Sequence, residues 1–308
     1  MYKYLFTLSL LFFIFAGNCY GADLNGLCSL DNKTWWVVGD CGRIIHTKDG
    51  GSKWSIQKSG IAEDNNLRGV HFVDSTHGWA VGNKGMILHT SDGGKNWKVQ
   101  VSRTKGNLMR VRFIDRKIGW SIGHLGNFVM TEDGGKTWQP RKIGYISEDF
   151  LYMRMDDRKN GIILGSKGCI LRTEDGGINW TIRENSTGCS ICPGFFLTAE
   201  MGWGVSDNGT VWRTSNGGYD WLKSENTLSG KARSIFFLNP SMGWIAGCNG
   251  TIFHTEDGGY RWTAQNIGTK SHLNAVSFSD TMTGLAIGAA GTIVITRDGG
   301  KTWKIYKK

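Results

Sequence analysis

Proline is nearly absent from this chain, three residues in 308, which excludes a collagen-like molecule despite the 45 glycines. Disorder is excluded as well, because 40% of the residues are apolar and 14 tryptophans are present. No segment sustains an apolar period of 3.6 residues, so almost no helix is expected. The apolar run Leu5 to Ala16 has only twelve residues, short of the roughly 20 that a spanning helix needs. Acidic residues are also in deficit, 26 against 36 Lys and Arg, and the resulting net charge of +10 favours acidic partners or surfaces.

The short apolar run has another use. With Lys3 ahead of it and the small residues Gly21 and Ala22 behind, it reads as a signal peptide over residues 1–21, leaving 22–308 as the mature domain. Ala16-Gly17-Asn18-Cys19 approximates a lipoprotein box, but Asn18 stands where a small residue is wanted, so lipid anchoring at Cys19 is not expected. Export to a periplasmic or lumen-like compartment follows. Six cysteines remain after cleavage: Cys28, Cys41, Cys169, Cys189, Cys192 and Cys248. An even set in an exported chain predicts at least one disulfide, expected to involve Cys189 or Cys192, with the pairing open.

Repetition dominates what is present. A Thr-x-Asp-Gly-Gly-x-x-Trp element recurs seven times, with its acidic anchor at Asp49, Asp92, Asp133, Asp175, Asn216, Asp257 and Asp298. The anchors are 43, 41, 42, 41, 41 and 41 residues apart. Each period holds four short strand-like segments; in the second these are Leu67 to Asp74, Gly78 to Gly82, Met86 to Thr90 and Asn96 to Val101. Four strands per period of this length make one propeller blade, and seven periods predict an all-β, seven-bladed β-propeller of four-stranded antiparallel blades. In the repeated element the Asx side chain can accept backbone N–H groups across a hairpin while Gly-Gly permits positive φ. Seven tryptophans belong to that element. Trp36, Trp79, Trp120, Trp203 and Trp244 form a second series in the second strand. The aromatic wealth therefore reads mainly as repeated core.

The Asp-box element, repeated seven times after a signal peptide, resembles the photosystem II stability/assembly factor family and its bacterial relatives. The resemblance covers essentially the whole mature chain. It implies a seven-bladed propeller, a lumenal or periplasmic assembly scaffold rather than an enzyme, and an arginine-rich surface that meets a protein partner.

Aligning the inner strands on Ser29, Phe72, Phe113, Met155, Phe196, Phe237 and Phe278 places Cys28, His71, Arg112, Arg154, Phe195, Phe236 and Ser277 at one register position. Period-two alternation turns this set away from the packed side and towards the central channel. Arg112 and Arg154 then come from adjacent blades, Arg110 shares their parity, and Arg68 and Arg233 lie near the entrances of their strands. These five arginines are the candidate partner-binding residues, suited to an acidic protein segment or another anion. Nucleic acid is not expected, since no recognition motif accompanies the charge. A monomer able to associate peripherally with a membrane is expected, with no cofactor and no metal.

The alternative is a carbohydrate-binding or sialidase-like glycosidase propeller. Tyr152 with Arg110, Arg112 and Arg154 imitates part of a sialidase site, but the Arg-Ile-Pro signature is absent and loops long enough for a deep pocket are few. No Ser-His-Asp or paired-carboxylate spacing offers another catalytic case. At the opposite end of the inner strands stand Asp31, Asp74, Asp115, Asp157, Thr198, Asn239 and Asp280, a series expected to cap the first turns. Cys189-Ser190-Ile191-Cys192 is followed by Pro193 rather than the His of a haem-attachment motif.

Overall fold

The structure, a computed structural model, describes residues 21–144 and 147–306. The expected signal peptide and Cys19 therefore lie outside the described residues, apart from Gly21. Seven four-stranded antiparallel sheets follow one another along the chain, each built from four consecutive strands. Blade 2 is typical, with strands Leu67–Phe72, Gly78–Gly82, Ile87–Thr90 and Lys98–Gln100. Its strands are shorter than the apolar segments that announced them, because the ends of those segments are spent in turns. Among the described residues the only helical elements are five three-residue 3-10 turns, such as Asn83–Gly85. The chain is a seven-bladed β-propeller, as the repeat predicts.

The repeated element is a hydrogen-bonded hairpin. Thr47 Oγ1 donates to Asp49 Oδ1 at 2.8 Å and accepts the Gly51 N–H at 3.0 Å, and Asp49 Oδ1 takes the Lys53 N–H at 2.9 Å. Gly50 and Gly51 sit at φ 69° and 86°, where a Cβ would be strained. The altered copy keeps the arrangement: Asn216 Oδ1 accepts from Thr214 Oγ1 and from the Asp220 N–H, both at 3.0 Å, while its amide donates to the Asp220 carboxylate at 2.8 Å.

The second tryptophan series joins neighbouring blades. Trp36 stacks on Phe72 with ring centroids 3.6 Å apart, Trp79 on Phe113 at 3.5 Å, Trp203 on Phe237 at 3.6 Å and Trp244 on Phe278 at 3.5 Å. Each of those phenylalanines presents its other side edge-on to the hairpin tryptophan of its own blade, as Phe113 does to Trp138 at 5.7 Å. Such pairs contribute about 0.5–1.5 kcal/mol each beyond the area they bury. The indoles also form polar links. Trp36, Trp79, Trp120 and Trp203 donate Nε1–H to the carbonyls of Gly93, Gly134, Gly176 and Gly258, the first glycine of the next hairpin.

Blades 4 and 7 lack this tryptophan, having Ile162 and Leu285 at the position. Arginines take over. Arg172 donates to the carbonyl of Gly217, and Arg297 donates to that of Gly50 at 2.9 Å. The second of these links closes the ring, because Arg297 belongs to blade 7 and Gly50 to blade 1. Among the described residues no strand is shared between the chain ends, so closure rests on side-by-side packing of blades 7 and 1. Leu24, Trp35, Val37, Leu285 and Ile287 fill that seam, and Asn274 Nδ2 donates across it to the Leu24 carbonyl at 2.9 Å.

Candidate partner-binding channel

The inner strands begin at one mouth of the central channel, and near their starts the pairing with the second strand is irregular. The register shifts between Leu67 and Gly69 and again between Ala232 and Ser234, leaving Arg68 and Arg233 as extra residues. Counting by twos from Phe72 and Phe237 would turn both arginines towards the packed side. A bulge re-aims them. Both line a cavity of about 700 Å³ at this mouth, with Arg110, Lys231, Tyr152 and Phe236 also on its wall.

Each of these three arginines is held differently. Arg68 pairs with Asp40 at 3.3 Å and donates Nε–H to Asn83 Oδ1 at 3.2 Å. Arg233 donates to Asn274 Oδ1 at 2.8 Å and to Cys248 Sγ at 3.3 Å. Arg110 donates to the carbonyl of its own neighbour Met109 at 3.0 Å. Its guanidinium is open to channel water yet enclosed by protein; that burial lowers its pKa, with Cys192 opposing. Among the described residues no carboxylate pairs with Arg110 or Arg233. The mouth thus holds positive charge that is positioned but only partly compensated, as a carboxylate receptor requires.

Arg112 and Arg154 are not on the wall of that cavity. Their register is the expected one, but their side chains run sideways to adjacent blades. Arg112 donates to His71 Nε2 at 2.8 Å, and burial, reinforced by the Arg112 charge, lowers the pKa of His71 to about 3. Arg154 pairs with Asp156 and donates to the carbonyls of Phe196, at 2.9 Å, and Leu197. The same lateral habit governs their equivalents, since Cys28 Sγ accepts the Phe72 N–H at 3.3 Å. The structure therefore brings Arg68, Arg110 and Arg233 together and uses Arg112 and Arg154 between blades.

Tyr152 is engaged in the same way. Its hydroxyl accepts the Phe196 N–H at 2.9 Å and donates to the Phe196 carbonyl at 3.2 Å, and burial pushes its pKa up to about 12. A phenol so placed is poorly suited to act as a nucleophile. Cys189 and Cys192 are both free thiols, so the bridge expected at these residues is not formed. Cys192 lies inside the fifth inner strand, Ile191–Phe196. Its Sγ lies 3.6 Å from the Gly165 carbonyl, and burial raises the thiol pKa to about 12. Among the described residues no group of three or more His, Cys, Asp or Glu could hold a metal ion.

The opposite end carries the acidic series, and its carboxylates cap turns as expected. Asp115 Oδ1 accepts the N–H groups of Lys117 and Ile118 at 2.7 and 2.8 Å, and these bonds, with Arg158, hold its pKa down against the opposing effect of burial. A feature missed by the sequence reading is that Arg116 and Arg158 reach back to Asp74 and Asp115 of the preceding blades, at 2.8 and 3.0 Å. Their spacing, one residue after the acidic position in successive periods, was the available signal.

The comparisons with known proteins agree with this architecture. The family model described as Photosynthesis system II assembly factor YCF48 matches residues 21–107 and 97–221, more than half of the chain. No curated protein sequence matches the chain significantly. Among solved structures, YCF48 bound to D1 peptide has a TM-score of 0.76 at 20% identity, covering 90% of this chain and 92% of that one. YCF48 from Cyanidioschyzon merolae has a TM-score of 0.73 at 20% identity, covering 91% and 96%. The GH74 xyloglucanase from Xanthomonas campestris shares the fold at a TM-score of 0.75 and 11% identity, over 92% of this chain and 54% of that one. At these identities the structural likenesses establish the fold alone. On the strength of the sequence match over residues 21–221, the chain belongs to the Photosynthesis system II assembly factor YCF48 family.

Proposed function

We propose that the protein is an exported, non-enzymatic scaffold that binds an acidic segment of a protein partner at the basic mouth of its channel, in the manner of a photosystem II assembly factor. The observation that carries this reading is the convergence of Arg68, Arg110 and Arg233 on one open cavity of about 700 Å³. Family membership and the peptide-bound state of a YCF48 structure of the same fold support it. Lys3 and the apolar run from Leu5 to Ala16 support export to a periplasmic or lumen-like compartment. The non-enzymatic reading draws on Tyr152, whose hydroxyl is taken up by the Phe196 backbone. A monomer can present this mouth without help, since every arginine named comes from one ring.

Recovery of the tagged protein from its native envelope under gentle extraction, followed by partner identification, tests the proposal. A specific partner whose binding is lost in Arg110→Gln/Arg233→Gln is the expected result. The absence of any such partner, or hydrolysis of glycans in a broad glycosidase assay, would overturn it.

A further inference from the structure

The residue that follows Gly-Gly in each hairpin occupies the same exposed position in all seven blades. It is Ser52, Lys95, Lys136 and Lys301 in blades 1, 2, 3 and 7, but Ile178, Tyr219 and Tyr260 in blades 4, 5 and 6. Three consecutive blades thus replace a polar rim with a large apolar one. Ile182 and Leu222, on the outer strands of blades 4 and 5, extend the arc, and these five side chains are 45–57% exposed. Scattered apolar residues on a surface need no explanation, but a contiguous arc confined to one sector marks an interaction site.

Two arginines organise it. Arg183 of blade 4 lies over the ring of Tyr219 in blade 5 at 4.2 Å, and Arg213 of blade 5 lies over Tyr260 in blade 6 at 3.3 Å. Each pair crosses a blade boundary, so the arc is continuous and both rings are held before any partner arrives. Holding them lowers the entropy lost on binding, and Tyr and Arg are the side chains that most often anchor interfaces. Among the described residues neither arginine pairs with a carboxylate, and the Nε of Arg213 is buried without a hydrogen-bond acceptor. Arg213, Leu222 and Tyr260 line a cavity of about 160 Å³ that also reaches the exposed Ser215 and Ser241. The cavity is large enough for one side chain.

We propose that this arc is a second protein-binding surface, distinct from the channel, which takes an extended partner segment alternating apolar side chains with carboxylates. The apolar residues cover Ile178, Tyr219 and Tyr260, and the carboxylates meet the guanidinium edges of Arg183 and Arg213. Charge complementarity to Arg183 and Arg213, which pair with no carboxylate among the described residues, selects an acidic segment, and the cavity of about 160 Å³, sized for one side chain, favours a peptide over a flat bilayer.

A fluorescein-labelled decapeptide of alternating Leu and Glu, titrated against the whole protein by anisotropy, tests this. Binding should weaken at least fivefold in Tyr219→Ser/Tyr260→Ser and in Arg183→Gln/Arg213→Gln, and should be unchanged in the channel variant Arg110→Gln/Arg233→Gln. Ile178→Glu, at a side chain exposed to solvent, should cause the same loss with an unaltered melting temperature, so an unfolded double variant does not spoil the test. Loss only in the channel variant, equal binding of a Ser/Glu peptide, absence of peptide binding, or binding to phosphatidylglycerol vesicles alone would each overturn the proposal. Failure of the channel reading leaves a separate signature, namely partner binding that survives Arg110→Gln/Arg233→Gln.

Discussion

Gln100, on the outer strand of blade 2, accepts the indole N–H of Trp138 in blade 3 at 3.0 Å and donates its own amide to the Gly134 carbonyl at 3.0 Å. One carboxamide thus satisfies both polar groups that the neighbouring hairpin turns towards it. Gln57 does the same for Trp97 and Gly93, and Gln265 accepts from Trp303. In blades 4, 5 and 6 the preceding outer strand offers no such glutamine, and Trp180, Trp221 and Trp262 turn back to the carbonyls of Gly177, Gly218 and Gly259 in their own hairpins.

Replacing this carboxamide with an apolar isostere should therefore weaken the boundary between blades 2 and 3. Gln100→Leu is expected to cost about 1 kcal/mol, since the indole has an alternative acceptor in its own hairpin. Denaturant unfolding against the exposed outer-strand control Lys98→Ala checks this, and a control loss of equal size would argue against the link.

The closing contact should be more sensitive than its position in the chain suggests. Arg297→Leu removes the donor to the Gly50 carbonyl and should destabilise by about 1–2 kcal/mol. Hydrogen exchange should accelerate first in blades 1 and 7, because among the described residues no strand is shared across this boundary. Uniform acceleration around the ring would contradict a local seam.

The five candidate arginines should divide into two groups. Arg112→Lys and Arg154→Lys are expected to lower the melting temperature, because a point charge cannot reproduce the donor sets to His71 and to the Phe196 and Leu197 carbonyls. Arg110→Lys should leave stability nearly unchanged while weakening binding to the proposed protein partner at least fivefold. Thermal melting and binding measured on the same preparations separate the two roles.

Stability should fall as the medium becomes mildly acidic. Burial depresses the folded-state pKa of His71 to about 3 and that of His46 to about 4, and His89 and His254 shift in the same direction. Their unfolded counterparts take up protons below pH 6.5. The unfolded state therefore binds more protons below that pH, and stability, level above it, declines as pH drops towards 4 and then 3. At pH 5 the loss reaches about 2 kcal/mol per buried histidine at most. Melting curves from pH 7.5 to 4.5 should show the decline, and His71→Gln should flatten it.

Alkylation under denaturing conditions without prior reduction should label both Cys189 and Cys192, which are free in the fold. In the native state Cys192 should react far more slowly, as a buried thiol with its pKa raised to about 12 holds almost no thiolate at neutral pH. Mass spectrometry of the labelled peptides distinguishes a reduced pair from a bridged one.

The sequence by itself determined the blade. Hydrogen bonds within Thr47 to Lys53, the Asx turns at Asp115 and its equivalents, and the alternation along Val111, Arg112 and Phe113 all operate over a few residues. Local chemistry of this kind is written in spacing and residue type, and seven copies at nearly constant intervals specify a closed ring. The tertiary structure decided what happens between blades. An extra residue reverses side-chain parity, so Arg68 and Arg233 reach a cavity that strict alternation denies them. Arg112 and Arg154 obey alternation yet turn to acceptors on blades 2 and 5, about 40 residues away. Arg172 and Arg297 become structural only because Ile162 and Leu285 leave a glycine carbonyl of the next blade without its indole. Lateral contacts depend on which residue the adjacent blade presents at the same height, and a repeat read one period at a time does not contain that pairing.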